Sequence, residues 1–248
     1  MEYSPGMPKQ EFLDLVRQSL GRASAAGPAP AYPRLSETVT ELESQVREVK
    51  RRNAENREAL ASTFLETAKL RGWNVHRAFN GEEALGCLTS IITSLEAGRV
   101  VRSEQDVFQE LPLDTALHGL GIKITTIARD ADRPREALRE EIIAAGVGVT
   151  GADYAVAETG SVVVLPRRGL SRLVSLVPPV HIAVVRAEEI VASMDDVFLL
   201  RRLEYYRNGG DMGSYLNFIS GPSRTADIEQ TLVVGVHGPK EVHLVLLG

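Results

Sequence analysis

The segment Val242–Leu247 reads VHLVLL and Val180–Arg186 reads VHIAVVR, so apolar residues follow one another almost without interruption. A strand with one face in water alternates apolar and polar residues, whereas a strand buried on both faces has a nearly continuous apolar run. From Trp73 onward, strand-like segments alternate with helix-like segments. The sequence therefore predicts an α/β fold, a three-layer α/β/α sandwich in which helices cover both faces of a sheet.

The segments around these runs predict the order of the elements. Asn80 and Glu83 have the spacing of a helix N-cap and its partner, so a helix is expected from Asn80 to about Gly98. The pair Thr159-Gly160 separates two apolar runs and is expected to join a β-hairpin. The other predicted elements are strands at 74–79, 99–102, 122–128, 154–158, 161–165, 232–237 and 241–247, and helices that begin near 114, 134 and 187, the last running to about 206.

The N-terminal part of the chain is predicted to be helical and distinct from the sandwich. Residues 7–20 place apolar side chains on one face of a short helix, and residues 21–33 (GRASAAGPAPAYP) are typical of a linker. Thr38 and Glu41 have the spacing of a capping box, so a long charged helix is expected from Thr38 towards Gly72. We therefore divide the chain into a helical arm with its linker, residues 1–35, and an α/β domain, residues 36–248.

The composition excludes several classes of function. The chain of 248 residues has a formal charge of −5 and therefore lacks the excess of Lys and Arg that is typical of nucleic-acid-binding proteins. No apolar run approaches the roughly 18–20 residues of a membrane span, and no signal peptide is visible, so we expect a cytoplasmic protein. Cys87 is the single cysteine, and no two of the five histidines lie within five residues of each other. We therefore expect no metal site, and no cofactor bound by this chain alone.

Residues 150–161 (TGADYAVAETGS) form the densest group of polar residues in an otherwise apolar stretch. Glu158 is expected at a strand end beside a glycine turn, where partial removal from water would suit a general base or nucleophile. The alternative is that Glu158 only stabilises the turn. We take Glu158 and Asp153 as candidate catalytic residues. The candidate anion-binding residues of this segment are Thr150, Gly151, Thr159 and Gly160.

A second polar segment, residues 219–229 (ISGPSRTADIE), combines hydroxyl groups, a glycine and an arginine around a possible helix start. Exposed backbone N–H groups, hydroxyls and a guanidinium would suit a carboxylate or a phosphate. The alternative is an ordinary turn capped by Ser or Thr, with an acidic residue in the first helical turn. The candidate anion-binding residues are Ser220, Gly221, Ser223, Arg224, Thr225 and Asp227, with His181 and His237 as possible further site residues.

Three segments together resemble a known family. Residues 148–165 (GVTGADYAVAETGSVVVL), 178–186 (PPVHIAVVR) and 220–239 (SGPSRTADIEQTLVVGVHGP) resemble, in this order, the LutC/YkgG family of LUD-domain proteins. The resemblance extends over roughly residues 60–248 and implies a fold related to the NagB, RpiA and CoA-transferase group. It also implies a cytoplasmic bacterial component of the oxidation of L-lactate to pyruvate, acting with iron–sulfur partner proteins.

The resemblance leaves the chemistry of this chain open. One cysteine cannot supply the ligands of an iron–sulfur cluster, so electrons would pass through partner subunits. An unidentified small anionic substrate is expected. The alternatives are a free-standing isomerase or CoA-transferase-like enzyme acting on a small anionic substrate, and a non-catalytic regulatory module of the same fold.

Overall fold

The computed structural model describes residues 7–21, 37–128, 133–165, 172–213, 215–226 and 231–248. The chain divides into two units, residues 1–38 and 39–248. In the first unit, α1 (Lys9–Ser19) confirms the helix predicted within residues 7–20. Phe12, Leu15 and Val16 lie on one side of α1 and are all more than one-third exposed. Nearly all of the predicted linker lies outside the described residues.

The second unit begins with two helices where one was predicted. The chain forms α2 (Val39–Glu55) and α3 (Arg57–Arg71), because Asn56 leaves the helical conformation with φ −108° and ψ 19°. The break lets the two helices pack differently. Leu42 and Val46 of α2 join an apolar cluster with the last long helix of the chain, whereas Phe64 of α3 packs between two sheets.

A six-stranded parallel sheet forms the centre of the second unit. Its strands lie in the order β1-β12-β7-β4-β2-β3, so that the two apolar runs of β7 and β12 are neighbours in the middle. Five strands of this sheet confirm the prediction, with ends that differ by at most one residue: β1 (Asn74–Ala78), β2 (Arg99–Ser103), β3 (Lys123–Ile127), β7 (Val180–Arg186) and β12 (Glu241–Leu247). The sixth strand, β4 (Val147–Gly151), was not predicted from the sequence.

Helices cover both faces of this sheet, which confirms the predicted three-layer α/β/α arrangement. On one face pack α4 (Gly81–Ser94), α5 (Val107–Glu110) and α6 (Leu113–Gly119), around a cluster that includes Val245 of β12. On the other face pack α3 and α7 (Arg135–Ile143). Asn80 caps α4 as predicted, accepting a hydrogen bond from the backbone N–H of Glu83, but α4 ends at Ser94 rather than near Gly98.

A smaller four-stranded sheet packs beside α3. It contains the predicted hairpin, β5 (Tyr154–Val156) and β6 (Ser161–Val164), flanked by β8 (Ile190–Val191) and β9 (Asn217–Ile219). One side of this sheet contacts α3 and the large sheet, and the other side contacts α2 and α8 (Met194–Arg207).

Two local predictions are wrong in this region. The helix expected from residue 187 begins only at Met194, because residues 187–189 form a 3-10 turn and β8 pairs with β5 before Ser193 caps α8. The strand expected at residues 232–237 shortens to β11 (Val233–Val234), which pairs with β10 (Arg224–Thr225). Among the described helices, none is long and apolar enough to cross a membrane.

Candidate functional site

The two polar segments singled out from the sequence meet at the C-terminal end of α3. Gly160, at the hairpin tip, has φ +64°, and a Cβ there would lie 2.5 Å from the backbone N of Ala68. Gly221 has φ +131°, and its Cβ would lie 2.5 Å from the carbonyl oxygen of Arg71. The hydroxyls of Ser161 and Ser220 are 2.7 Å apart. The hairpin tip and the loop at Ser220 and Gly221 therefore lie together at the end of α3, where the chain leads into β1.

Glu158 lies at the hairpin tip, and its side chain is exposed. The prediction that its carboxylate is partly shielded from water is therefore wrong. Its Oε1 accepts a hydrogen bond of 2.7 Å from the backbone N–H of Met194. This N–H belongs to the first turn of α8, where a carboxylate is favoured by the helix dipole. The observed contact fits a helix-stabilising role, and a catalytic role for Glu158 stays a prediction.

Asp153 lies at the other end of the hairpin. Its Oδ2 accepts a hydrogen bond of 2.7 Å from the backbone N–H of Leu165, and its own N–H donates to Val163. The strand β5 separates it from Glu158, so the structure does not bring the two candidate carboxylates together.

Thr150 forms a buried pair with His181 on the neighbouring strand. The Thr150 hydroxyl lies 2.9 Å from Nε2 of the imidazole, and both side chains are almost fully buried. The Nδ1 atom of His181 is buried without a hydrogen-bond partner among the described residues, and the ring of Trp73 lies 6.0 Å away between centroids. Burial lowers the pKa of His181 to about 3, so this imidazole is neutral near pH 7.

The segment predicted to begin a helix near residue 223 forms the short strand β10 instead. Arg224 donates from Nη2 to the carbonyl oxygen of Arg71 at 3.2 Å, which satisfies a free carbonyl at the end of α3. The Ser223 hydroxyl accepts from the backbone N–H of His237, and the Ser223 N–H donates to Pro239. The backbone N–H of Ser223 and Nη2 of Arg224 are therefore used within the protein, since this segment pairs as a strand and does not begin a helix.

The other predicted anion-binding residues lie apart from one another and make different contacts. Gly151 donates its backbone N–H to Oε1 of Gln105 at 2.6 Å. Thr159 has a buried hydroxyl oxygen without a hydrogen-bond partner among the described residues. Thr225 lies in β10, paired with Val233, and Asp227 lies outside the described residues. Anion binding by these residues stays a prediction.

Sequence reasoning missed a histidine pair that the large sheet assembles. Nε2 of His76 lies 3.2 Å from Nδ1 of His243, and the rings stack with centroids 5.5 Å apart. Nε2 of His243 lies 2.9 Å from Oε1 of Glu241. Burial, and secondly the neighbouring His243, lower the pKa of His76. The two histidines lie 167 positions apart in sequence, so only the pairing of β1 with β12 brings them together.

A second polar group lies at the carboxyl edge of the sheet. Gln105 is buried, and its Oε1 accepts from Gly151 and, at 2.5 Å, from the Ser103 hydroxyl. Arg186, at the end of β7, donates to both Glu189 and Glu110. Burial raises the pKa of Glu189 to about 7.

Metal ligands are not grouped within the described ranges, where no set of three or more His, Cys, Asp and Glu could hold a metal ion. Cys87 lies part-buried on α4, and burial raises the pKa of its thiol, which disfavours the thiolate that metals bind. That this chain alone holds neither a metal nor another cofactor stays a prediction.

Comparison with known proteins identifies the relatives of this chain. A family model described as the LUD domain matches residues 61–247. Lactate utilization protein C of Bacillus pumilus is 28% identical over 246 residues, which cover 96% of each chain. Lactate utilization protein C of Halalkalibacterium halodurans is 47% identical over 105 residues, 42% of this chain and 45% of that protein. Lactate utilization protein B of Shouchella clausii is 28% identical over 229 residues, 73% of this chain and 46% of that protein.

A solved structure shares the fold. The crystal structure of a DUF162 family protein from Deinococcus radiodurans has a TM-score of 0.52 to this chain at 22% sequence identity. The match covers 77% of this chain and 98% of that chain, and it supports the α/β architecture described above.

Proposed function

This chain belongs to the LUD-domain family, and from that membership we propose that it is a component of a lactate-utilisation system. The observation that carries the proposal is the alignment with lactate utilization protein C of Bacillus pumilus over 96% of both chains. Such coverage relates the two proteins along their whole length and not only through one shared domain. The family resemblance inferred from three sequence segments is confirmed.

We propose further that the system is cytoplasmic and oxidises L-lactate to pyruvate, and that iron–sulfur partner proteins carry the electrons. The cysteine content supports a division of labour, because Cys87 alone cannot provide the roughly four thiolates of an iron–sulfur cluster. The match to lactate utilization protein B supports a system of several subunits, since that protein extends well beyond the aligned domain. In this scheme the present chain binds a small anionic substrate or holds the partners together.

Deletion and complementation test the proposal directly. A strain of the native host that lacks this chain is expected to lose growth on L-lactate and to keep growth on pyruvate, because pyruvate enters after the oxidation step. Reintroducing the chain should restore growth on L-lactate. Equal growth of the deletion strain and its parent on L-lactate would refute the proposed role.

Native purification tests the partners separately. A tagged copy of the chain, isolated without oxygen from cells grown on L-lactate, is expected to bring down proteins that contain iron and acid-labile sulfide. The same chain produced alone should contain neither, because it has one cysteine. A stoichiometric iron–sulfur content in the isolated chain would contradict the division of labour.

A further inference from the structure

Three polar side chains on the α4 face of the large sheet form one line of hydrogen bonds. His76 of β1 and His243 of β12 lie on this face with Ala78 and Val245, because alternate residues of a strand share a face. Nε2 of His76 is 3.2 Å from Nδ1 of His243, and Nε2 of His243 is 2.9 Å from Oε1 of Glu241. We call Glu241, His243 and His76 the histidine latch, since they join β1 to β12.

The direction of donation in the latch follows from its carboxylate. Glu241 accepts hydrogen bonds only, so Nε2 of His243 carries a hydrogen and donates to it. A neutral imidazole has one hydrogen on its two nitrogens, so Nδ1 of His243 accepts and Nε2 of His76 donates to it. Nδ1 of His76 therefore keeps a lone pair while both hydrogen bonds of the latch are made.

The latch can take up one proton without breaking, but not two. A first proton on Nδ1 of His76 leaves both hydrogen bonds in place, because Nε2 of His76 still donates to His243. A second proton must bind Nδ1 of His243, since Nε2 of that ring already carries a hydrogen. Two N–H groups would then point at each other from atoms 3.2 Å apart, and two positive rings would repel each other. The second protonation therefore breaks the contact between the rings.

The helix that covers the latch adds little charge beside it. Cys87 is the titratable residue in the part of α4 that follows the first turn, and burial raises the pKa of its thiol, so it stays neutral in acid. Glu241 is therefore the anion that stabilises a proton on the latch. The charged residues of α4 and β7 on this face lie at the opposite, carboxyl edge: Glu82 and Glu83 in the first turn of α4, and Arg186 at the end of β7.

The other neighbouring charges lie on the opposite face of the sheet or in water. Arg77 of β1 pairs with Glu58 of α3 on the opposite face, where His181 of β7 also lies. Glu96 follows α4 and Lys240 precedes β12, and both side chains are exposed, so that water and salt screen them. The hydrogen bonds within the latch therefore dominate its response to protons.

We propose that the histidine latch is a proton-operated switch, which holds the edge strand β1 on β12 while the two rings carry at most one proton and releases it when both are protonated. Among the described strands, β1 pairs with β12 alone, whereas β12 is held on both sides, so β1 is the strand that responds. Burial, and secondly His243, lower the pKa of His76, so this ring is uncharged near pH 7 and takes up its proton below the ordinary value of about 6.5. The second proton binds at a still lower pH, because the first one repels it.

Hydrogen exchange of the full chain tests the switch, with the other edge strand as an internal control. When the pH is lowered from about 7.5 to about 4, the protection factors of the β1 amides are expected to fall about 10-fold more than those of β3. The strand β3 also lies at an edge of the large sheet, but it contains no histidine. A global loss of stability in acid, such as the one caused by burial of His181, would affect both strands alike.

Two substitutions test the cause of the response. His76→Gln removes one ring, so β1 should be less protected than in the wild type at pH 7.5 and should show no acid response beyond that of β3. Glu241→Gln keeps an acceptor for His243 but removes the negative charge, so β1 should lose protection at a lower pH than in the wild type. His118→Gln is the matched control, because His118 is an exposed histidine of α6, and this variant should behave as the wild type.

Nitrogen-15 spectra of the imidazoles observe the latch directly. At pH 7.5 both His76 and His243 should be Nε2–H tautomers, and both rings should become doubly protonated over the pH range in which β1 loses protection. The proposal is overturned if β1 and β3 lose protection equally, if His76→Gln keeps the acid response of β1, or if His243 carries its hydrogen on Nδ1 at pH 7.5.

Discussion

Two buried histidines on neighbouring strands have opposite surroundings. His181 of β7 pairs in register with Val242, one position before His243 of β12, so the two imidazoles lie on opposite faces of the sheet. His181 contacts Thr150 within a closed interior, whereas His243 uses both ring nitrogens, one towards His76 and the other towards Glu241, whose side chain is 39% exposed. One step of register therefore separates a histidine that packs the interior from one that is connected to solvent.

The side of the sheet on which His181 lies should not accommodate a larger side chain. A Cβ at Gly148, which pairs with His181, would overlap the carbonyl oxygen of Val174. Gly148→Ala is expected to lower the free energy of unfolding by about 4 kcal/mol or more, because the obstructing group is backbone. Urea unfolding checks the value. Gly86→Ala is the control, since Gly86 is helical with open space around it, and it should be neutral or stabilising by up to about 1 kcal/mol. Equal effects of the two substitutions would contradict the tight packing.

Acid should destabilise the protein through His181. Its pKa is about 3 in the folded chain and about 6.5 when unfolded, so the unfolded chain binds a proton first as the pH falls. This contribution to stability is present above about pH 6.5 and is lost towards pH 3. Between pH 6.5 and pH 4 the expected loss is on the order of 3 kcal/mol.

His181→Gln isolates this effect, because all other titrating groups remain. The variant should show a correspondingly smaller drop in the free energy of unfolding between the two pH values. His76, whose pKa is also lowered, contributes with the same sign in both proteins and cancels in the comparison. Parallel pH profiles of the variant and the wild-type chain would show that folding does not lower the pKa of His181.

Removal of the Thr150 hydroxyl should have a moderate effect. Thr150→Val leaves Nε2 of His181 without its observed partner, so the free energy of unfolding should fall by about 1–3 kcal/mol. Thr125→Val makes the same change on the edge strand β3, where the hydroxyl is only part-buried, and should stay within about 0.5 kcal/mol of wild type. Thermal unfolding of both variants provides the test, and a smaller loss for Thr150→Val than for Thr125→Val would argue against the buried pair.

The smallest effect is expected at the exposed hairpin tip. Glu158→Gln removes the charge beside the first turn of α8 and should lower stability by about 0.3–1 kcal/mol, less at high salt. The variant should melt almost normally, so it also tests the catalytic role predicted for Glu158. Complementation on L-lactate that matches wild type would remove Glu158 from the catalytic candidates, whereas lost growth with a normal melt would support the role.

Local signals in the sequence predicted most elements but not how they are interrupted. The Asn80 cap and the hairpin at Thr159-Gly160 depend on residues only a few positions apart, and both are confirmed. The predicted helix over residues 38–72 breaks at Asn56, and the resulting helices α2 and α3 bury their apolar faces against different partners. The helix predicted from residue 187 starts late because Ile190 and Val191 pair with β5.

The candidate site was likewise predicted only in part from the sequence. Sequence alone found the polar segments at residues 150–161 and 219–229, and the structure brings the hairpin tip and the Ser220 loop together at the end of α3. Sequence could not show that Nη2 of Arg224 and the backbone N–H of Ser223 donate to neighbouring backbone carbonyls. Whether a polar side chain is free to bind a ligand depends on contacts that are made only after folding.

The amino-acid sequence by itself determined the α/β class and the family of this protein. Val180–Arg186 and Val242–Leu247 have apolar side chains on both faces of an extended chain. Removing both faces from water is favourable, and a central strand covered by helices on both sides achieves this. Only the tertiary structure decided which polar groups meet, because strand order and register set those distances. His76 and His243 have no relation along the chain, yet the parallel pairing of β1 with β12 places their ring nitrogens 3.2 Å apart.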